Sequence, residues 1–279
     1  MKKYILILSA FFLAACGSSS SFTNLSLPNF KPQVQTQVQN ANSGVSIEFA
    51  SINMEQNNNY SDFFENSVLK LRIEREIELL KQNLEEQIET IVKLKGYELK
   101  DSNADYKLNG LVSIYIEEKD VQKNSSFMSG DFVKSNLGIN FKAKIELVDA
   151  ENSQNSTQIS SDTKLDSLVE LNYPIKNDDG LSMFKTTISN VPTELSKELA
   201  KPAFEIDKSF LAFYKNTLNS LYNNMPLAEK KEEKSSFNSF EENTNFENIE
   251  PKIEPKQENT TEFLDKSEEK DLGGIEIFE

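Results

Sequence analysis

Leu69, Ile73, Ile77, Leu80, Leu84, Ile88 and Ile91 recur at intervals of three and four, and no other stretch restricts the folding of this chain as much. Such spacing lines one face of an α-helix with apolar side chains and demands an apolar surface to cover it. Asp62, with Glu65 three residues on, offers a capping-box-like start. Gly96 can take the left-handed conformation that stops a helix. Unbroken to Lys95, the helix would be about 50 Å long at 1.5 Å per residue, more than an ordinary domain face. Either its first turns diverge near Asn66-Ser67, or one end protrudes or packs on a partner, or the heptad-like spacing marks a dimer seam. The flanking sequence supplies strands that need covering, which favours a helix laid across its own sheet.

Val45, Ile47 and Phe49 alternate as a first strand, with Ile52 on the other parity or after a bulge. Tyr97 and Leu99 open an extended segment. Tyr106, Leu108, Val112, Ile114 and Ile116 then line one face of a strand. Residues 117–136 are polar and read as a loop holding Lys119, Lys123, Phe127, Met128 and Phe132. Apolar residues in such a loop fold back on the core or form a partner-binding patch. Ile139, Phe141, Ala143, Ile145 and Leu147 alternate with Asn140, Lys142, Lys144 and Glu146, the clearest half-buried strand of the chain. Asp149-Ala150-Glu151-Asn152 is turn chemistry, so a return strand follows at about 157–171. A second loop covers 172–190. A helix over 193–224 then carries Ile206, Phe210, Phe213, Thr217 and Leu221 on one face, with a break at Pro202, and Pro226 ends it. The expectation is an α+β domain over residues 45–225. It has a single antiparallel or mixed sheet of about five strands, with a long N-terminal and a C-terminal helix on one face and disordered ends on either side.

The ends differ in kind. Lys2 and Lys3 precede the apolar run 4–13 and then Leu13-Ala14-Ala15-Cys16. The run is too short for a permanent membrane span and reads as a removable signal, residues 1–15. Small residues directly before a cysteine form a lipobox, with cleavage between Ala15 and Cys16. Cys16 then carries diacylglycerol, and its new amino group a palmitate-type acyl chain. Each buried CH₂ contributes roughly 0.8 kcal/mol, so several chains anchor stably where one would not. Gly17 follows Cys16, which favours sorting to the outer membrane. Residues 16–44 read as the lipidated cysteine and a flexible Ser-, Asn- and Gln-rich tether. Residues 226–279, with 7 Lys against 16 Asp plus Glu, read as an acidic disordered tail. Near its end, Ile275, Ile277 and Phe278 form an apolar cluster of the kind that adds a strand to a partner.

Composition narrows the chemistry. Cys16 is the one cysteine, and there is no histidine. Once Cys16 is lipidated no thiol remains, and the usual general base and commonest zinc ligand are absent from the sequence. The expectation is a protein that is not an enzyme, with no cofactor and no metal. A net charge of −15 gives no positive footprint for nucleic acid. Asn177-Asp178-Asp179-Gly180 reads as a turn, because no glutamate follows at calcium-loop spacing. Glu85, Glu86 and Glu89 with Lys93 read as a solvated helix face.

The order of these pieces resembles the neuraminyllactose-binding hemagglutinin, or HpaA-like, family of outer-membrane lipoproteins. The matching parts are Tyr60-Ser61-Asp62 before the long helix, Gly96-Tyr97 after it, and Asn109-Gly110 in the next strand. Phe141-Lys142-Ala143-Lys144-Ile145-Glu146-Leu147-Val148-Asp149 and the amphipathic C-terminal helix complete the match. The resemblance implies a surface lipoprotein with a role in adhesion to sialylated glycans. Its glycan-contact stretch would fall on Lys119-Asp120-Val121-Gln122-Lys123, with Lys119, Gln122 and Lys123 as candidate contacts. The leading expectation is therefore a lipid-anchored outer-membrane adhesin or surface binding module, whose partners are the membrane and a host glycan or an envelope protein. The alternative is a periplasm-facing structural or assembly lipoprotein that recruits a partner through its acidic tail.

Overall fold

The computed structural model describes residues 22–31, 43–126, 130–165, 167–175 and 189–229. The signal segment, Cys16, Phe127, Met128, the Asn177–Gly180 turn and the tail beyond Glu229 lie outside the described residues.

Two serines, rather than the Asp62–Glu65 pair, start the helices of the N-terminal half. Ser61 caps α1 (Asp62–Glu65), its hydroxyl accepting from the Phe64 amide. Ser67 caps α2 (Val68–Leu94), accepting from the Lys70 amide. Each oxygen serves an amide that a helix start leaves without an intrahelical partner. The chain therefore turns at Asn66, and the long helix becomes two. α2 has 27 residues, about 40 Å at the helical rise, and all seven residues of its stripe are buried. It stops where expected. Gly96 sits at φ 88°, with its amide bonded to Lys93 O and the Tyr97 amide to Val92 O. That is the paired closure that only a residue tolerant of positive φ supplies cheaply.

The strands are β1 (Phe22–Asn24), β2 (Ser46–Glu48), β3 (Ile52–Asn59), β4 (Glu98–Leu99), β5 (Tyr106–Ser126), β6 (Gly130–Asp149), β7 (Ser156–Lys164), β8 (Val169–Pro174) and β9 (Glu194–Ser196). Seven of them form one mixed sheet, where about five were expected. β2 and β3 lie end to end, parallel to β5, and β7 and β8 lie end to end, antiparallel to β6. β4 adds beyond β2 in parallel. The surplus strands arise because two extended runs are interrupted, at 49–51 and at 165–168. The loop expected at 117–136 is also strand, since β5 continues to Ser126 and β6 begins at Gly130. A 21-residue strand rises about 70 Å at 3.3 Å per residue, so the hairpin outreaches α2.

One face of the sheet is closed. Val112, Ile114 and Ile116 of β5, on alternating inward positions with Ile139, Phe141 and Ile145 of β6, are buried. The helix α3 (Lys197–Asn224) lies against them, with the Phe141 ring edge-on to Phe210 at 4.8 Å and stacked on Phe213 at 5.1 Å. Pro202 sits inside α3 with its ring buried, and the helix runs on through it instead of breaking. The opposite face of the sheet carries Lys, Asn and Ser and is open.

The body extends beyond both boundaries set by the alternation. Within the expected tether, β1 pairs antiparallel with β9 in a small second sheet, and Phe30 is buried edge-on to Tyr214 at 5.2 Å. At the other end, the Ala228 amide bonds to Lys95 O at 2.9 Å.

Two buried polar centres tie these elements together. Arg72 of α2 has no solvent exposure. Its Nε and Nη2 donate to the Asp207 carboxylate of α3, at 3.1 and 2.7 Å. Nη1 donates to Leu25 O and Pro192 O, and Nη2 also donates to Ser26 O. Glu76, one turn on, lies 2.9 Å from Arg72 Nε and is also fully buried. Burial, and then the neighbouring Asp207 carboxylate, push its carboxyl well above the usual glutamate range. The second centre is Glu118 of β5. One of its oxygens accepts from the Ser61 amide and hydroxyl, at 2.9 and 2.7 Å, and the other from the Tyr173 hydroxyl of β8, at 2.7 Å.

Both centres are testable. Glu76 holds its proton in the folded state at pH values where an unfolded glutamate has lost it. Stability should therefore fall as pH rises above about 4.5, continuing into the alkaline range. Glu76→Gln should flatten that slope between about pH 5 and 9 in urea unfolding, and an unchanged slope would refute the assignment. Arg72→Ala should cost about 3–5 kcal/mol, because it strands Asp207 without its cation. Tyr173→Phe should cost about 1–3 kcal/mol by the same assay, and a variant as stable as the parent would show that the Glu118 contact is idle.

Candidate functional site

The stretch singled out by resemblance lies on β5 at a break in its register. Lys119 faces Asn136, but Gln122 faces Lys134, so Asp120 and Val121 together oppose Ser135. This is a β-bulge, with Asp120 at φ 54° and its carboxylate accepting from Asn136 Nδ2 at 2.9 Å. The extra residue decides which side chains share a face. Lys119 and Gln122 both fall on the open face, opposite the outward residues Asn136 and Lys134. Lys123 faces buried Val133 and so falls on the other side of the sheet. The structure brings two of the three candidates together and separates the third.

Each lysine already has an anion. Lys119 Nζ lies 2.9 Å from Glu117 Oε2, and that hydrogen bond holds its ammonium above the ordinary lysine value. Lys123 Nζ lies 3.3 Å from Asp131 Oδ2. An incoming carboxylate would meet lysines whose charge is locally balanced, with no arginine to offer a fixed fork of donors. Further along the open face are Leu111, Tyr115 and, folded over Gly138, the half-exposed Leu168. A Cβ at Gly138 would come within 3.0 Å of Leu168 Cδ2, so the glycine makes room for that leucine.

Clefts also lie elsewhere among the described residues, two of them large. The first, about 1050 Å³, opens at the far end of the sheet between the starts of β2 and β5, the β6–β7 turn and residues 226–229. Tyr97 and Tyr106 meet edge to face there at 6.1 Å, and Asp105 accepts from the Ser46 amide and hydroxyl. Burial pushes the Tyr97 hydroxyl up to about 12, so it stays protonated and able to donate. The second, about 990 Å³, runs between β8 and the N-terminal half of α3, with Lys164, Lys197, Lys201 and Lys208 and with Glu170, Glu198 and Glu205 along it. The sequence reading missed this groove, although Lys197, Lys201, Phe204 and Lys208 follow one another by four, three and four along the chain. That interval puts them on one helical stripe. Among the described residues no group of three His, Cys, Asp or Glu side chains converges to hold a metal ion.

No family model matches this chain, and no curated protein matches it in sequence. Among solved structures it is similar to a neuraminyllactose-binding hemagglutinin homolog from Helicobacter pylori. That match is 14% identical over 72% of this chain and 92% of the other, with a TM-score of 0.41. It is also similar to a PelC dodecamer from Paraburkholderia phytofirmans, 12% identical over 70% and 95% of the two chains, TM-score 0.23. A third similarity is to a minor lipoprotein from Acinetobacter baumannii, 7% identical over 62% and 93%, TM-score 0.22. At these scores the three assign neither a family nor an activity to the chain.

Proposed function

We propose that this chain is a lipid-anchored outer-membrane protein acting as a non-enzymatic surface binding module, in the manner of an adhesin. The observation that carries the reading is Leu13-Ala14-Ala15-Cys16 at the end of a short apolar run behind two lysines. Cleavage before Cys16 and acylation of its sulfur and amino group would supply the several chains that stable anchoring needs. Among the described residues no helix is long and apolar enough to cross a membrane.

The fold supports a binding role on physical grounds. Its sheet is packed on one side and offers a broad polar face on the other, with Lys119, Gln122, Asn136 and Tyr115 presented from strands rather than from loops. Side chains on rigid strands hold their positions, which lowers the ordering cost of engaging a ligand. The pairing of Phe22 with Ser196 also limits reach. Five residues lie between Cys16 and Phe22, six steps or at most about 20 Å of chain, so an anchored body would stand close to the lipid surface. Sialylated glycans enter as candidate ligands through the family resemblance, with Lys119 and Gln122 as the pair that shares the open face.

Labelled palmitate should enter the wild-type chain and not Cys16→Ser, and the variant should leave the membrane fraction. A Cys16→Ser protein that stays membrane-bound and labelled would overturn the anchor. Protease applied to intact cells should cut the chain. Complete protection until the outer membrane is opened would reject the surface role and leave the periplasm-facing alternative.

A further inference from the structure

The outer edge of the β7–β8 run is treated in two different ways. Leu165 N–H bonds to Ile139 O, and Ile175 N–H to Asp131 O. In an antiparallel ladder, residues alternate in directing their backbone groups towards the partner strand. On β7 and β8 the odd-numbered residues therefore face β6, and the even-numbered ones point their N–H and C=O outward. Two observations agree. The outward carbonyl of Ser160 accepts from Ser220 Oγ at 3.0 Å, and Pro174, which has no N–H, sits where β6 requires none.

α3 reaches one outward backbone group of β7, the Ser160 carbonyl, and otherwise bonds its side chains. Besides Ser220, Thr217 bonds to Ser161 Oγ at 3.3 Å and Asn216 to Thr163 Oγ1 at 3.1 Å. It does not shield β8. The outward N–H and C=O groups of Glu170 and Asn172 meet no partner among the described residues. They open instead on the groove of about 990 Å³ beside the first half of α3.

Four lysines and three glutamates (Glu170, Glu198 and Glu205) line the groove, a local balance of +1 in a chain of net charge −15. Lys197, Lys201 and Lys208 stand along its helical wall and Lys164 on its strand side. Lys208 pairs with Glu205 at 3.3 Å, whereas Lys164, Lys197 and Lys201 enter no ion pair among the described residues. Phe204, on the same stripe, is 49% exposed, with Lys208 Nζ 4.8 Å from its ring centre. Leu165, Val169 and Pro202 give the floor an apolar character.

We propose that this groove receives an extended, acidic segment of a partner protein, which adds to β8 as a further strand of the sheet. Alternating main-chain donors and acceptors would pair with Glu170 and Asn172, as in other strand additions. Carboxylates of the segment would meet the α3 lysines, and its apolar side chains would cover Val169 and Pro202. A polyanion such as nucleic acid would use the lysines but has no main chain to match the strand edge. The site is on a different surface from Lys119 and Gln122 and does not depend on the lipid anchor.

The test uses the full chain in detergent micelles and two fluorescein-labelled heptapeptides, Val-Glu-Val-Glu-Val-Glu-Val and its Val-Lys counterpart, followed by anisotropy. The acidic peptide should bind at least about tenfold more tightly than the basic one, and less tightly as salt is raised. Lys197→Glu with Lys201→Glu should weaken it by about tenfold or more. Asn172→Pro removes only an outward donor, so it should abolish binding while thermal unfolding stays unchanged. Should that variant misfold, amide hydrogen exchange on the wild-type chain decides, because bound peptide should slow exchange at Glu170 and Asn172. Equal binding of the two peptides, no binding up to about 1 mM, or unaltered exchange at those two amides would each overturn the proposal.

Discussion

A single guanidinium decides how the segments of this protein meet. Arg72 is sealed from water and all five of its N–H donors are taken inside the protein. They reach a carboxylate on α3, two carbonyls just after β1 and one just before β9. A lysine in its place would offer three donors from one point and could not bridge partners so far apart in direction. Removing a cation from water costs several kcal/mol unless every donor is matched. The full set exists only when α2, α3 and both arms of the small ribbon are in position together. Glu76 completes the arrangement by keeping its proton, so that one buried cation faces one buried anion.

The one-sided sheet follows from the same packing. Both long helices crowd onto the inward residues of β5 and β6, and nothing in the described chain covers the other face. The hairpin of β5 and β6 is longer than the helices, so its distal part cannot rest on them. Glu118 takes over there, holding the cap of α1 and a tyrosine of β8 at the level of the bulge. The candidate stretch is thus a strand irregularity braced from behind by a buried carboxyl group, rather than a free loop.

The parts legible in the sequence were those with a covered and an uncovered side. The α2 stripe, the inward residues of α3, and the alternation at 106–116 and 139–147 all read correctly, because each faces the core along its whole length. Residues 117–136 defeated the same logic. The inward positions Glu118, Val133 and Ser135 are buried, but two of the three are polar, so the alternation carries too few apolar residues to mark an inside. The ribbon of β1 and β9 was invisible for another reason: three residues in each strand are too few to show a period. Asn66 and Ser67 were flagged as a place where the helix could diverge, and the Ser67 cap is why it does. The bulge that parts Lys123 from Lys119 had no local signature, since Asp120 is not a glycine and carries φ 54° only because Asn136 and the ladder hold it. Arg72 and Glu76 went unread, since charged residues at the margin of an aliphatic stripe read as its solvated flank.

The ribbon has a consequence in time. Among the strand pairings of the described residues, that of Phe22 with Ser196 joins positions furthest apart along the chain, roughly 170 apart, and closing so long a loop is entropically demanding. A chain emerging from its N-terminal end makes β1 first and must wait for nearly the whole domain before β9 and Asp207 exist to receive it. Until then the arm has no partner and Arg72 lacks the Asp207 carboxylate. Docking of the first strand is therefore the act that completes the fold, and any enzyme that works on the N-terminal side of Phe22 has that whole interval in which to do so.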